Sequence, residues 1–263
     1  MKVPAEVAKG YAAAAVTRMK QGPGRFLLLG ILAGAFIALA GVGSAVASVS
    51  IPLASVAKLV TACVFPGGLA MVLLAGSELF TGNCLFLIPV LSREAKVWAM
   101  VKSWILVYIG NFIGAALVAA LVVLGHTPDL FGGAYAEAIV ATAASKAALS
   151  FGDAFVRGIL CNFLVCIAVW IAFAADSVGG KIAGLFFPIM LFVVSGFEHS
   201  VANMYYLTAG LFAKASYGID AAALTWGSAL GGNLLPVTLG NIVGGCICVA
   251  LPYWAVYCKG QKK

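Results

Sequence analysis

The sequence predicts an all-α membrane protein: six transmembrane helices forming an inverted 3+3 repeat, with the second and fifth helices broken. Three observations predict it. Hydrophobic residues make up 63% of the 263 and charged residues only 10%, against roughly 45–50% and about 25% in soluble domains. Apolar runs long enough to cross a hydrocarbon core, roughly 20 residues per helix, recur six times along the chain. Segments of the first half also reappear, in the same order, in the second.

The first span, Phe26 to about Ser50, carries no charge, and the second, about Val56 to Leu91, holds a single acid away from its first turn. The third covers about Trp98 to Leu124. A mixed stretch, Gly125 to Asp153, separates it from the fourth, about Ala154 to Ala175. The fifth covers about Ile182 to Phe212 and the sixth about Leu234 to Tyr257. One channel-sized unit, residues 26–257, therefore lies between an N-terminal segment, 1–25, and a C-terminal tail, 258–263.

Residues 1–25 hold Lys2, Lys9, Arg18, Lys20 and Arg25 ahead of any apolar run, which does not fit a cleavable signal peptide. Residues 3–19 read as a short amphipathic helix on the membrane surface. Six spans put both termini on one side. That side carries twelve of the sixteen Lys and Arg residues, so both termini are expected to be cytoplasmic. The net charge of +7 is then mostly topology, and a nucleic-acid partner is not expected. The seven cysteines sit in or at the ends of apolar spans without metal-ligand spacing and read as small buried residues.

The repeat has three matches. Gly30-Ile31-Leu32 recurs as Gly158-Ile159-Leu160, and Gly110-Asn111 with Gly114 recurs as Gly240-Asn241 with Gly244. "GSELFTGN" (76–83) matches "GFEHSVAN" (196–203) at Gly, Glu and Asn, the three offsets being 128, 130 and 120 residues. A duplicated unit of three spans must insert its second copy upside down, which brings the interrupted helices together near the membrane midplane. The second and fifth spans are overlong, carry Pro66 and Pro188, and break at a Gly followed by a Glu. Irregular backbone at membrane depth survives only where protein or water satisfies it, so residues 76–84 and 195–203 read as two loops meeting at a pore.

Charged groups in such a place are costly, about 2.5 to 3.5 kcal/mol each on insertion scales. Glu78 and Glu198 occupy matching positions and read as loop braces, accepting from free backbone N–H groups, with Asn83 and Asn203 matched beside them. His199 stands where the first copy has Leu79, and lost symmetry points to a task in the pathway; its imidazole can change charge near neutral pH. Phe65, Leu69, Leu79, Phe80 and Phe192 read either as core or as hydrophobic constrictions above and below His199, with Thr81 offering a hydroxyl. Lys146, approaching the fourth span, reads either as a solvated loop charge or as an attractor for anions. Arg157 reads as an interface anchor and His126 as surface.

"AGSELFTGN" at 75–83, "GILCNFLVCIAVW" at 158–170 and "SGFEHSVANMYY" at 195–206 resemble the signature segments of the formate/nitrite transporter family. The resemblance covers nearly the whole chain. It implies an aquaporin-like protomer in a homopentamer with one pore per protomer, in the inner membrane of a prokaryote. It implies transport of small monovalent weak-acid anions, formate first, with nitrite and hydrosulfide as alternatives, no cofactor, no metal and no enzymatic activity. His199 matches the family's central pore histidine and Thr81 the threonine facing it. Leu79 and Phe192 match an outer constriction, Phe65 and Leu69 an inner one, and Lys146 and Asn162 residues that set the potential near the pore.

A dry slit strips an anion of hydration, at a cost of several kcal/mol, which a neutral acid largely avoids. Two variants follow: His199 passes a proton to the entering anion, or it stays neutral and only hydrogen-bonds the anion. A neutral-solute pore of aquaporin type is the rival reading, but the paired Asn-Pro-Ala loops expected of it are absent. A membrane-embedded enzyme would need a further convergent polar set that is not visible.

Overall fold

Ten of the sixteen N-terminal residues Pro4 to Met19 are apolar or alanine on a helical period, and they form α1 in the computed structural model, which describes residues 1–260. The last three residues of the 258–263 tail lie outside the described residues. Helix α2, Pro23–Ser48, is the first apolar run, which carries no charge after Arg25 in its first turn. Helices α3, Ala54–Val64, and α4, Pro66–Ala75, are nearly continuous, because Pro66 at a first helical position gives up no hydrogen bond that the helix needs. After a non-helical stretch come a 3-10 segment, Gly82–Phe86, and the short α5, Leu87–Leu91.

Helix α6, Val97–Leu124, follows, and then α7, Ala134–Ala147, inside the stretch that the sequence left without an element. Alanine carries α7: its apolar periodicity is weak, but its helix propensity is the highest of any residue. Helix α8 is Phe151–Ala174, opened by Ser150, whose hydroxyl accepts from the Asp153 N–H. The fifth apolar run is two pieces, α9, Val178–Val194, and α10, Ser200–Tyr217. The last is continuous from Ser228 to Tyr257, with α11, Leu235–Gly245, and α12, Leu251–Tyr257, joined through π-helical turns. Among the described residues, five stretches are long and apolar enough to cross a membrane: Pro23–Ser48, Ala54–Ala75, Val97–Leu124, Phe151–Ala174 and Ser228–Tyr257.

Helix α2 packs along α6, and α8 along α11. Both contacts are backbone-close: a Cβ on Gly34 would overlap the Asn111 backbone, and one on Gly240 would overlap that of Phe155. Without a hydrophobic force between helices in lipid, such close approach supplies the van der Waals contact that holds them. The two interrupted helices lie against these pairs, and their broken ends meet in the centre.

Helix α1 does not lie free on a membrane surface. It buries Val7, Tyr11, Ala15 and Met19, and its contacts include α5, α8 and α12, because packing an apolar face on protein removes it from water. The Tyr11 hydroxyl donates to the Gly82 carbonyl at 3.2 Å, and burial pushes this phenol's pKa up, so it remains a neutral donor.

Candidate functional site

Each break begins with a glycine in the left-handed region, Gly76 at φ 81° after α4 and Gly196 at φ 71° after α9. A side chain there would be strained, so glycine is what lets both helices stop at this depth. The freed backbone is then held from a neighbouring helix. In the first loop the Phe80 N–H donates to Asn111 Oδ1 at 3.0 Å, while Asn111 Nδ2 donates to the Gly30 and Glu78 carbonyls at 2.8 and 3.0 Å. In the second the Ser200 N–H donates to Asn241 Oδ1 at 2.9 Å, and Asn241 Nδ2 donates to the Gly158 and Glu198 carbonyls at 2.8 and 2.9 Å.

The expectation that Glu78 and Glu198 accept from backbone N–H groups is therefore wrong. An amide carries both donors and an acceptor, so one asparagine satisfies N–H and C=O together, which no carboxylate can do. The carboxylates instead face cations. Glu78 is bound by Arg18, whose Nε donates to Oε1 at 2.8 Å and whose Nη2 reaches Oε2 and also Asn83 Oδ1, the latter at 2.7 Å. Asn83 Nδ2 returns a bond to Glu78 Oε2 at 2.8 Å. Glu198 is bound by Lys146 Nζ, 2.9 and 3.0 Å from its two oxygens, and by Asn203 Nδ2. Lys146 is thus not a solvated loop charge: only 16% of its side chain is exposed, and the end of α7 places it on Glu198.

The loops join at one bond. Thr81 Oγ1 and His199 Nε2 are 2.9 Å apart, and both residues are buried. His199 is also the N-cap of α10, its Nδ1 accepting from the Ala202 N–H at 3.0 Å. Because Nδ1 accepts, the neutral ring carries its proton on Nε2 and donates it to Thr81. Asn162 secures the threonine from behind: its Nδ2 donates to the Thr81 carbonyl at 3.2 Å and to the Asn241 carbonyl at 2.6 Å.

Cavities open on both sides of this bond. On the side away from the N-terminus, one of about 240 Å³ is lined by Lys58, Lys146, Glu198 and His199, with Phe65 and Phe192 at its walls. Phe65 packs edge-on against Phe192, and Phe192 stacks on the His199 ring with centroids 5.9 Å apart. On the N-terminal side a cavity of about 380 Å³ is lined by Arg18, Arg25, Glu78 and Lys181. Next to that cavity, and sharing Tyr11, Arg18 and Val169 with it, is a gap of about 20 Å³ lined by Leu69 and Leu79 together with Ser77 and Asn83, room for about one water molecule. The side chains pair differently from the sequence expectation: Phe65 packs on Phe192, and Leu69 lines a gap with Leu79. Phe65 and Leu69 are four residues apart, about 6 Å along a helix axis, so they stand at different levels.

With this geometry in place, the family description "Formate/nitrite transporter" matches residues 5–255. The chain belongs to the formate/nitrite transporter family. This family comprises channels and transporters rather than enzymes. A protein of Methanothermobacter thermautotrophicus named "Probable formate transporter" is 39% identical, covering 98% of each chain. The formate channel FocA of Escherichia coli K12 is 33% identical over 98% of this chain and 95% of its own. A solved structure described as a pentameric formate channel with formate bound superposes with a TM-score of 0.80 at 33% identity, covering 90% of this chain and 98% of that one. A second, an FNT family ion channel, reaches 0.85 at 30% identity, covering 95% and 98%.

Among the residues of this family member singled out from the sequence, the structure brings Thr81, His199, Asn162, Leu69, Leu79, Phe65 and Phe192 around one axis. It sets the Glu78–Asn83 and Glu198–Asn203 pairs to either side. Sequence reasoning missed Asn111, Asn241, Arg18 and Tyr11 as parts of the site. The signal for the asparagines was present, since a buried amide at matching places in two otherwise apolar spans demands partners. Arg18 and Tyr11 left no local signal, their partners being 60 and 71 residues away.

Proposed function

We propose that this family member is a homopentameric channel for small monovalent weak-acid anions, formate first and nitrite or hydrosulfide next, in the inner membrane of a prokaryote. In this reading α9 and α10 together make the remaining crossing, the halves 26–124 and 154–257 form the inverted repeat, and both termini are cytoplasmic. The observation that carries it is the Thr81–His199 bond joining the two broken helices between aromatic and aliphatic constrictions.

The chemistry follows from what each layer offers. Phe65 and Phe192 strip water from an entering anion, and the hydrogen-bond donor they lead to is the buried Nε2–H of His199. The anion displaces Thr81 as its acceptor. A full charge in a gap of one water's size is expensive, so the anion takes a proton from the bulk solution of the mouth it enters by, crosses Leu69 and Leu79 as the neutral acid, and gives the proton up to the solution on the far side. Of the two variants set out above, the neutral-histidine one is supported by the Ala202 bond, since a second proton on Nδ1 would point at that backbone N–H, donor against donor.

Liposomes carrying the purified protein should pass formate, nitrite and hydrosulfide, read by an internal pH dye, and exclude glycerol. Swelling with glycerol alone would overturn the reading. His199→Asn keeps a side-chain acceptor for the α10 N-terminus but removes the Nε2–H. It should fold normally and lower formate flux about tenfold, the loss of roughly 1.4 kcal/mol; formate-driven proton uptake should fall in the same proportion. Proton uptake abolished while formate flux persists would instead support proton passage through the ring.

A further inference from the structure

Each cavity flanking the central bond contains one tight ion pair and, beyond it, cations without a partner. In the cavity with His199, both Glu198 oxygens lie within 3.0 Å of Lys146 Nζ. That pair is electrically neutral from a distance. Lys58, from the second turn of α3, lines the same cavity and is exposed, and among the described residues no carboxylate lies within ion-pair distance of it. The other charged groups lining that cavity are Lys146 and Glu198. In the opposite cavity Arg18 and Glu78 cancel in the same way, and Arg25 and Lys181 line the wall with no carboxylate within ion-pair distance among the described residues.

We infer that Lys58 collects anions at its mouth, with Arg25 and Lys181 doing so at the other, whereas Lys146 and Arg18 act as counter-ions that hold the loops. This rests on the anion-channel reading above. A lone charge acts over a longer range than a pair, whose two fields subtract, so the far field of each mouth is set by its unpaired cations. Steering of this kind changes entry rate, and it fades once the Debye length, about 10 Å at 0.1 M salt, shrinks to about 3 Å at 1 M. The assignment also explains why the two loop glutamates do not repel anions although both line the cavities: each is matched one to one, and the excess is positive on both sides.

The test is the initial rate of formate uptake into, and efflux from, liposomes carrying the full chain in one orientation, read by an internal pH dye, with ionic strength changed on one side at a time. Lys58→Gln should lower entry from its own side about two- to fivefold at low salt, with the difference vanishing near 1 M. Lys58→Arg should restore wild-type entry, and the double variant Arg25→Gln/Lys181→Gln should lower entry from the other side only. A Lys58→Gln flux equal to wild type at low salt, or a loss that persists undiminished at high salt, would overturn the inference. Wild-type protein that passes no formate in either direction would instead overturn the channel reading on which it rests.

Discussion

The first loop and the second share a frame and differ in what they present. Both begin at a left-handed glycine, both are sewn to a neighbouring helix by one asparagine, Asn111 or Asn241, and both carry a Glu with an Asn five residues on. They differ at the residue after the Glu, Leu79 against His199, and in the source of the counter-ion. Glu78 takes Arg18 from α1, outside the span bundle; Glu198 takes Lys146 from α7, within it. The parts that satisfy backbone are the same in both, because the geometry of a broken helix is the same wherever it occurs. The parts that face the pathway or the flanks diverge, since nothing in the loop geometry prescribes them.

The sharpest way to break the comparison is to remove the counter-ions. Arg18→Met and Lys146→Met should each destabilise the protein by about 3 kcal/mol, because each strands a buried carboxylate. Thermal unfolding in nanodiscs measures this, and pairing each change with Glu78→Gln or Glu198→Gln should recover most of the loss. The two should part company in hydrogen exchange: only Arg18→Met should expose residues 4–19, since only that pair ties down α1.

Smaller effects test the shared frame. Asn111→Ala and Asn241→Ala, at two fully buried positions, each remove three hydrogen bonds around a loop. Each should cost about 2 kcal/mol in the same unfolding assay, by similar amounts. A large inequality between them would mean that the two loops are not held alike. The smallest effect belongs to Tyr11→Phe, which removes one bond, to Gly82, that has no counterpart in the second loop. It should cost about 1 kcal/mol and leave Asn241→Ala additive with it, as the two sites share no partner.

Much of this was legible in the chain itself. The break points follow from Gly and Glu inside overlong apolar runs, and the singular role of His199 follows from its mismatch with Leu79. Helix α7 was not legible, because its alanines give propensity without a strong period. Lys146 stayed ambiguous for a related reason: its distance from Glu198 along the chain, 52 residues, says nothing of its distance in space. Phe65 and Leu69 were recognised but given the wrong partners, since residue type reveals that a constriction exists without saying at which level each ring lies.

By itself, then, the sequence determined which segments are apolar enough to leave water, where each must break, and which residues at the breaks differ between the two halves. Those are local properties, set by the cost of placing polar groups in hydrocarbon. Tertiary structure alone decided which cation meets which carboxylate, which asparagine closes which loop, and that Thr81 and His199, 118 residues apart, lie 2.9 Å from each other. Partner choice depends on how helices stack and at what height, and hydrophobicity, which drives the chain into the membrane, has no direction with which to specify it.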